Sequence, residues 1–227
     1  MLRRLANKTV CPMTKALKID FVSDVACPWC IIGLKGLDQA LERTKGEIEA
    51  DITFHPFELN PTMPAGGQNM IEHVGQKYGS TPDQARVNRE RIRTRAAELG
   101  FDMGTSDASR IYNTFDAHRL LAWAKEQGQQ IELKRSLFTA NFTEQQDPGN
   151  HDVLVAAAER AGLDAQAARE VLTSGRYADE VREEQRLWQS RGISSVPSLI
   201  INDKFLISGG QPPEVFEKAL REIAGIA

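Results

Sequence analysis

At 227 residues, with 28 Lys plus Arg against 31 Asp plus Glu and a net charge of −3, the chain has the make-up of a globular protein long enough to bury a sizeable core. That balance argues against nucleic acid or anionic lipid as the main partner, and charges interrupt every apolar run short of the roughly 18 residues a membrane-spanning helix needs. Three cysteines, Cys11, Cys27 and Cys30, cannot build a disulfide framework, so stability must come from packing.

Residues 1–14 read as an extension without regular structure. They are basic but lack the apolar run of a secretory signal, and Met13 opens a more natural start, so a cytoplasmic location is expected. Cys11 reads as an incidental thiol. A strand over Lys18–Ser23 is followed at once by Cys27-Pro28-Trp29-Cys30 and then by a helical pattern over 31–41. Asp51–Phe57 alternates and predicts a second strand, and the prolines and glycines of Asn60–Gly67 break the chain. The pattern from there to about Arg191 is helical. Thr81-Pro82 supplies an N-cap and a first-turn proline for a helix reaching Leu99-Gly100. Further helices are expected at about 109–126, 130–142, 151–161, 164–173 and 176–191, with Gly128, Gly162, Gly175 and Gly192 near their ends. Strands return at Ser198–Asn202 and Lys204–Ser208, a hairpin turning on Asn202-Asp203, before an amphipathic helix over Pro213–Ile223.

This order predicts an α/β protein: a thioredoxin-like fold with a large all-helical insertion between its strand–helix–strand and strand–strand–helix halves. The expected division is 15–62 with 193–227 for the thioredoxin-like part and 63–192 for the insertion.

A CxxC pair can close a small disulfide, share a metal or simply pack. The helix start favours the first, because unpaired N–H groups and the helix dipole stabilise a thiolate, the reactive species in disulfide exchange. Cys27, nearer the helix N-terminus, is the expected nucleophile, and Cys30, one turn on, the resolving thiol. Pro28 suits an early helical position, and Trp29 offers no cation to a thiolate. Zinc would need two more ligands, and Cys11, His55, His73, His118 and His151 form no second paired motif, so no metal is expected. Val196-Pro197 precedes the strand that should face the CxxC, where a cis proline would expose the preceding backbone to an extended substrate.

Together, Ser23–Gly33, Pro56–Pro61, Asn113–Arg119, Ser195–Ser198 and Ser208–Gln211 make the chain resemble the DsbA-like oxidoreductases. The likeness is greatest to the FrnE-type branch, related to 2-hydroxychromene-2-carboxylate isomerases, over about residues 15–224. The resemblance implies the thioredoxin fold with its insertion, a cis Pro197 and Cys27/Cys30 as a redox pair. Pro28, Trp29, Val196, Pro197, Gly209 and Gln211 would then border the substrate. It also places the Asn113–Arg119 helix against the active face, so that His118 or Asn113 orients substrate or tunes Cys27; the alternative is a buried helix residue, with Phe115 and Trp123 in the core. Gly210 departs from the branch, where alanine is commoner. Relatives that isomerise carry serine at the place of Cys27, so two cysteines favour disulfide exchange.

The expected activity is therefore thiol–disulfide exchange with proteins or small thiols, by a monomer or homodimer, with no cofactor beyond glutathione as a co-substrate. The alternatives are a glutathione-dependent isomerase or transferase, in which Val196 and the Ser208–Gln211 loop hold glutathione, and a thioredoxin-like chaperone or binding module. The arginine-rich run Arg86–Arg95 reads as a solvated helix face rather than an anion site.

Overall fold

The computed structural model describes residues 14–226; the extension to residue 13, with Cys11, lies outside them. β1 (Lys15–Ser23) is the central strand of a four-stranded sheet. Successive side chains of a strand point to opposite faces. Leu17, Ile19 and Phe21 accordingly enter the main core, while Val22 packs on the other face with Trp188 and Ile193. β2 (Ile48–Pro56) pairs with β1 in parallel, Phe21 opposite Phe54, after the crossover through α1 (Pro28–Arg43). β5 (Ser198–Ile201) returns antiparallel on the other side of β1, and β6 (Phe205–Ser208) closes the order β2-β1-β5-β6. Asn202 and Asp203, both at positive φ, make the hairpin turn. The Asn202 side chain also accepts the Lys18 N–H at 3.0 Å, tying the turn to β1. α9 (Pro213–Ala224) then lies beside α1, its Phe216 and Leu220 fully buried.

Between the halves run α2 (Met70–Tyr78), α3 (Pro82–Glu98), α4 (Phe115–Glu126), α5 (Gln130–Phe138), α6 (His151–Arg160), α7 (Ala165–Ser174) and α8 (Ala178–Ser190). Thr81 and Gln84 form a reciprocal capping box at α3. Asn150 and Asp164 cap α6 and α7 through their side chains. Residues 109–114 are not helical as the periodicity suggested. Arg110–Ile111 (β4) instead pairs with Gln68–Asn69 (β3) in a two-residue ribbon, and α4 starts only at Phe115. α5 continues as a π-helical turn, Thr139–Thr143.

The helical block has a core of its own, built on Leu120, Leu133, Leu154 and Val171. It also feeds the sheet's core through Ala96, Leu99, Met103, Phe138 and Phe142. The edge of β2 is not left bare. The Gln130 amide accepts the Phe54 N–H at 2.9 Å and donates to the Phe54 carbonyl at 3.0 Å, doing what a neighbouring strand would do.

Candidate functional site

Cys27 is the N-cap residue of α1 and Pro28 its first helical residue, where the missing N–H costs nothing. The turn leading in is fixed by Asp24, whose backbone carbonyl accepts the Cys27 N–H at 3.2 Å. The Asp24 carboxylate accepts the Ala26 N–H at 3.1 Å and the Leu59 N–H at 2.7 Å. The Asn141 side chain, on the π-helical turn, donates to the Val25 carbonyl at 3.2 Å. The turn entering the CxxC is thus braced by Asp24 and by Asn141 from the helical block.

The loop before β5 faces this helix start. The Val196–Pro197 peptide is cis, and the Cys27 thiol lies 3.7 Å from the Val196 carbonyl oxygen. Gly209, at positive φ, donates its N–H to the Pro197 carbonyl at 2.8 Å. Gln211 donates from its own side chain to the Ser208 carbonyl at 2.8 Å, fastening the loop after β6. α1 meets both loops without room to spare. A Cβ on Gly33 would stand 3.2 Å from the Pro197 ring, one on Gly36 2.6 Å from the Gln211 carbonyl, and one on Gly210 2.9 Å from the Trp29 carbonyl. The Val196–Pro197 loop therefore lies against Cys27 and Gly33 of α1, and the loop after β6 against Trp29 and Gly36. Trp29 is half-buried and also borders an open groove along α3 with Val87, Arg91 and Thr94.

Both cysteines are free, and both are buried: Cys27 is 3% exposed and Cys30 fully covered. Burial, and the hydrogen bond and charge of Cys27 beside it, push the Cys30 thiol well above the ordinary thiol value, opposed by the charge of Lys134. Beneath the pair lies a set of buried polar groups. Burial alone would raise the Asp24 carboxyl, but His118 and the Leu59 and Ala26 N–H groups hold it below the usual carboxylate range. His118 is not at the sulfur. It is buried on α4, with Nε2 donating to the Phe57 carbonyl at 3.0 Å and standing 3.6 Å from Asp24, so it reaches the CxxC only through that carboxylate. Asn113 accepts the Phe115 N–H at the start of α4. Phe115 is only half-buried, covered by the Arg182 guanidinium 3.7 Å from its ring centroid, whereas Trp123 joins the helical core.

Two features were beyond sequence reasoning. His55 bridges two carboxylates, Asp20 at 2.8 Å and Glu184 at 2.6 Å, clamping β1, β2 and α8 together. Lys134 on α5 is fully buried against Phe54 and Phe138. The arginines of α3 are largely paired: Arg86 with Asp83 and Asp107, Arg89 with Asp107, Arg93 with Glu90 and Arg95 with Glu98. Among the described residues no helix is long and apolar enough to cross a membrane, and no three His, Cys, Asp or Glu side chains gather in a metal-binding arrangement.

A helix-capping CxxC facing a proline loop across a β2-β1-β5-β6 sheet defines a thioredoxin-fold protein. The DSBA-like thioredoxin domain model matches residues 18–221, and the chain belongs to that family. It is 28% identical over 211 residues to YwbO of Bacillus subtilis (strain 168), covering 92% of this chain and 98% of that protein. Its structure is similar to SCO1869 of Streptomyces coelicolor, described as a "probable DsbA oxidoreductase", with 33% identity, a TM-score of 0.84, and coverage of 92% of this chain and 90% of that one. The cytosolic disulfide reductase DsbM of Pseudomonas aeruginosa, solved with GSH, shares the fold at 16% identity and a TM-score of 0.63, over 92% of this chain and all (100%) of that one.

Proposed function

We propose that the protein is a thiol–disulfide oxidoreductase in which Cys27 is the nucleophile and Cys30 the resolving thiol. The observation that carries this reading is the place of Cys27: the capping residue of α1, its sulfur 3.7 Å from the Val196 carbonyl. A capping position at a helix start presents the sulfur at the end of the helix, beside the loop that would receive a substrate. Attack of the Cys27 thiolate on a substrate disulfide forms a Cys27–substrate bond, and the departing substrate sulfur leaves with the bonding electron pair and takes a proton. Cys30, as thiolate, then attacks the Cys27 sulfur, and the second substrate sulfur leaves in the same way. The substrate disulfide gains two electrons and two protons, and the dithiol becomes the Cys27–Cys30 disulfide. The Val196 backbone beside Pro197 is suited to pair with an extended substrate segment, and Trp29, Gly209 and Gln211 border the same space.

Substrates in this proposal are disulfide-bearing proteins or small disulfides, with glutathione as the small-thiol co-substrate. GSH in the DsbM structure and the cytosolic setting of that protein support the co-substrate and a reducing compartment. Insulin reduction with a small-thiol reductant tests the reading. Wild type should accelerate it, Cys27→Ser should return it to background, and Cys30→Ser should accumulate a mixed disulfide through Cys27. Equal rates for wild type and Cys27→Ser would overturn it.

A further inference from the structure

A sheet edge exposes unpaired N–H and C=O groups, and another strand of suitable chemistry will pair with it unless the edge is blocked. The two edges of the β2-β1-β5-β6 sheet differ in this respect. On the β2 side the Gln130 side chain occupies the Phe54 N–H and carbonyl. On the β6 side, no strand among the described residues covers Phe205–Ser208. Nor does β6 carry the usual deterrents to pairing. It holds no charge and no proline, and its Phe205 and Leu206 are 39% and 56% exposed.

The register decides which backbone groups are open. Gly209 donates its N–H to the Pro197 carbonyl, Leu199 faces Ile207, and Ile201 faces Phe205. Ladder bonds fall on alternate residues of an antiparallel strand. Phe205 and Ile207 therefore commit their backbone groups to β5, while Leu206 and Ser208 turn theirs outward. The Ser208 carbonyl is taken by the Gln211 side chain at 2.8 Å, which leaves the Leu206 N–H and carbonyl together on the open edge. The Leu206 side chain, opposite Ile200, stands on the sheet face that carries Trp188 and Ile193. These four residues line a shallow depression rimmed by Arg191 and Asp203, one charge of each sign. Arg191 stacks 5.0 Å from the Trp188 ring centroid and has no carboxylate partner among the described residues.

What fits this edge is a strand with free backbone groups and an apolar side chain beside them, on a surface whose charges balance. β6 itself meets that description. We propose that the protein forms a homodimer in which β6 pairs antiparallel with β6 of a second copy, about a two-fold axis at Leu206, joining the two sheets into one. In this register the two Leu206 residues exchange N–H···O bonds, and the Ser208 N–H of each copy reaches the partner's Lys204 carbonyl. The two Leu206 side chains then close over adjoining apolar depressions, and the balanced rim charges leave no net repulsion between the copies. Because Gln130 blocks the β2 edge, pairing stops at two copies and does not run on into a fibre. The same axis brings the partner's Asp203 and Lys204 alongside Gly209 and Ser208, so each copy adds to the rim of the other's candidate site. The inference is independent of the disulfide-exchange reading.

Sedimentation velocity on the full chain tests the proposal without any turnover. Wild type at tens of micromolar should sediment as a dimer and release monomer on dilution. Leu206→Pro deletes the outward N–H and leaves the β5 ladder intact, while Leu206→Lys sets two like charges at the axis. Each should weaken association about tenfold or more with an unchanged circular dichroism spectrum. Should Leu206→Pro not melt cooperatively, Leu206→Lys gives the same reading. Cross-linking tests the register. The Cα atoms of a hydrogen-bonded antiparallel pair lie about 5.5 Å apart, within disulfide reach. Leu206→Cys, in a Cys11→Ser, Cys27→Ser and Cys30→Ser background, should therefore give a covalent dimer on mild oxidation. Val87→Cys in the same background, at a 71% exposed position on α3, should not. The proposal is overturned by a wild type that stays monomeric, by a dimer indifferent to both Leu206 variants, or by no more cross-linking through Leu206→Cys than through Val87→Cys. A monomer that takes up an extended peptide along β6 would overturn it as well.

Discussion

Asp24→Asn removes one charge and turns one acceptor into a donor at a buried position. In the wild type the two carboxylate oxygens accept from Ala26 at 3.1 Å and Leu59 at 2.7 Å, with His118 Nε2 at 3.6 Å. An asparagine keeps one acceptor, so its amide nitrogen must face one of the two backbone N–H groups. An orphaned buried donor costs about 1–3 kcal/mol, and exchanging a charge-assisted bond for a neutral one about 1 kcal/mol more. The expected loss is therefore about 2–4 kcal/mol, read as a fall of about 1 M in the urea midpoint at a slope of about 3 kcal/mol/M for a chain of this size. The pH dependence has a fixed sign. The folded carboxyl sits below its ordinary value, so its contribution is complete above that value and is lost as pH falls through the folded one. The gap between wild type and Asp24→Asn should be constant from neutrality to about pH 5 and narrow below about pH 4. The turn that Asp24 braces carries Cys27, so disulfide exchange should slow along with the loss of stability. A stability change under about 0.5 kcal/mol, or a gap that persists undiminished in acid, would refute the role given to this carboxylate.

Lys134→Met should be more stable than wild type at neutral pH, by at most roughly 3 kcal/mol for an amine moved from 10.5 to about 8. Its folded value is depressed, so the penalty is complete below about 8 and fades as pH rises towards 10.5, and chemical denaturation across that window should show the gain shrinking. His55→Ala leaves the buried Asp20 carboxylate without its ring partner and should cost about 2–4 kcal/mol by urea unfolding, whereas truncating half-exposed Glu184 should cost less. Gly210→Ala places a methyl 2.9 Å from the Trp29 carbonyl and 3.1 Å from Ile32, so the first turn of α1 must shift. A cost of about 1–3 kcal/mol with an altered exchange rate is expected, checked by melting and insulin reduction.

The four strands of the main sheet and the CxxC were legible in the sequence because their signals are local. Alternation marks β2, Asn202-Asp203 marks the hairpin, and Pro28 marks the start of α1. Elements whose identity is tertiary were not. Residues 109–114 carry a fair helical pattern, but Arg110–Ile111 finds a strand partner forty residues back, a contact periodicity cannot encode. α2 is only nine residues long and buries none of them completely, so its short stripe of Met70, Ile71 and Val74 is a weak signal. Lys134 stands between Leu133 and Arg135 as an ordinary helix lysine, and only the packing of α5 on β2 covers it. His118 is conspicuous in its motif, yet its role is set by the Phe57 carbonyl and Asp24, residues distant along the chain.

The central claim, that Cys27 and Cys30 form an exchangeable pair, is tested most directly by an equilibrium redox titration followed by thiol labelling and peptide mass spectrometry. The account predicts a reversible two-electron transition confined to these two cysteines. With Trp29 offering no cation to Cys27, the potential should lie nearer the about −270 mV of thioredoxin than the about −120 mV of DsbA. Failure of the pair to form a disulfide under any poise, or a transition that survives Cys27→Ser, would contradict it.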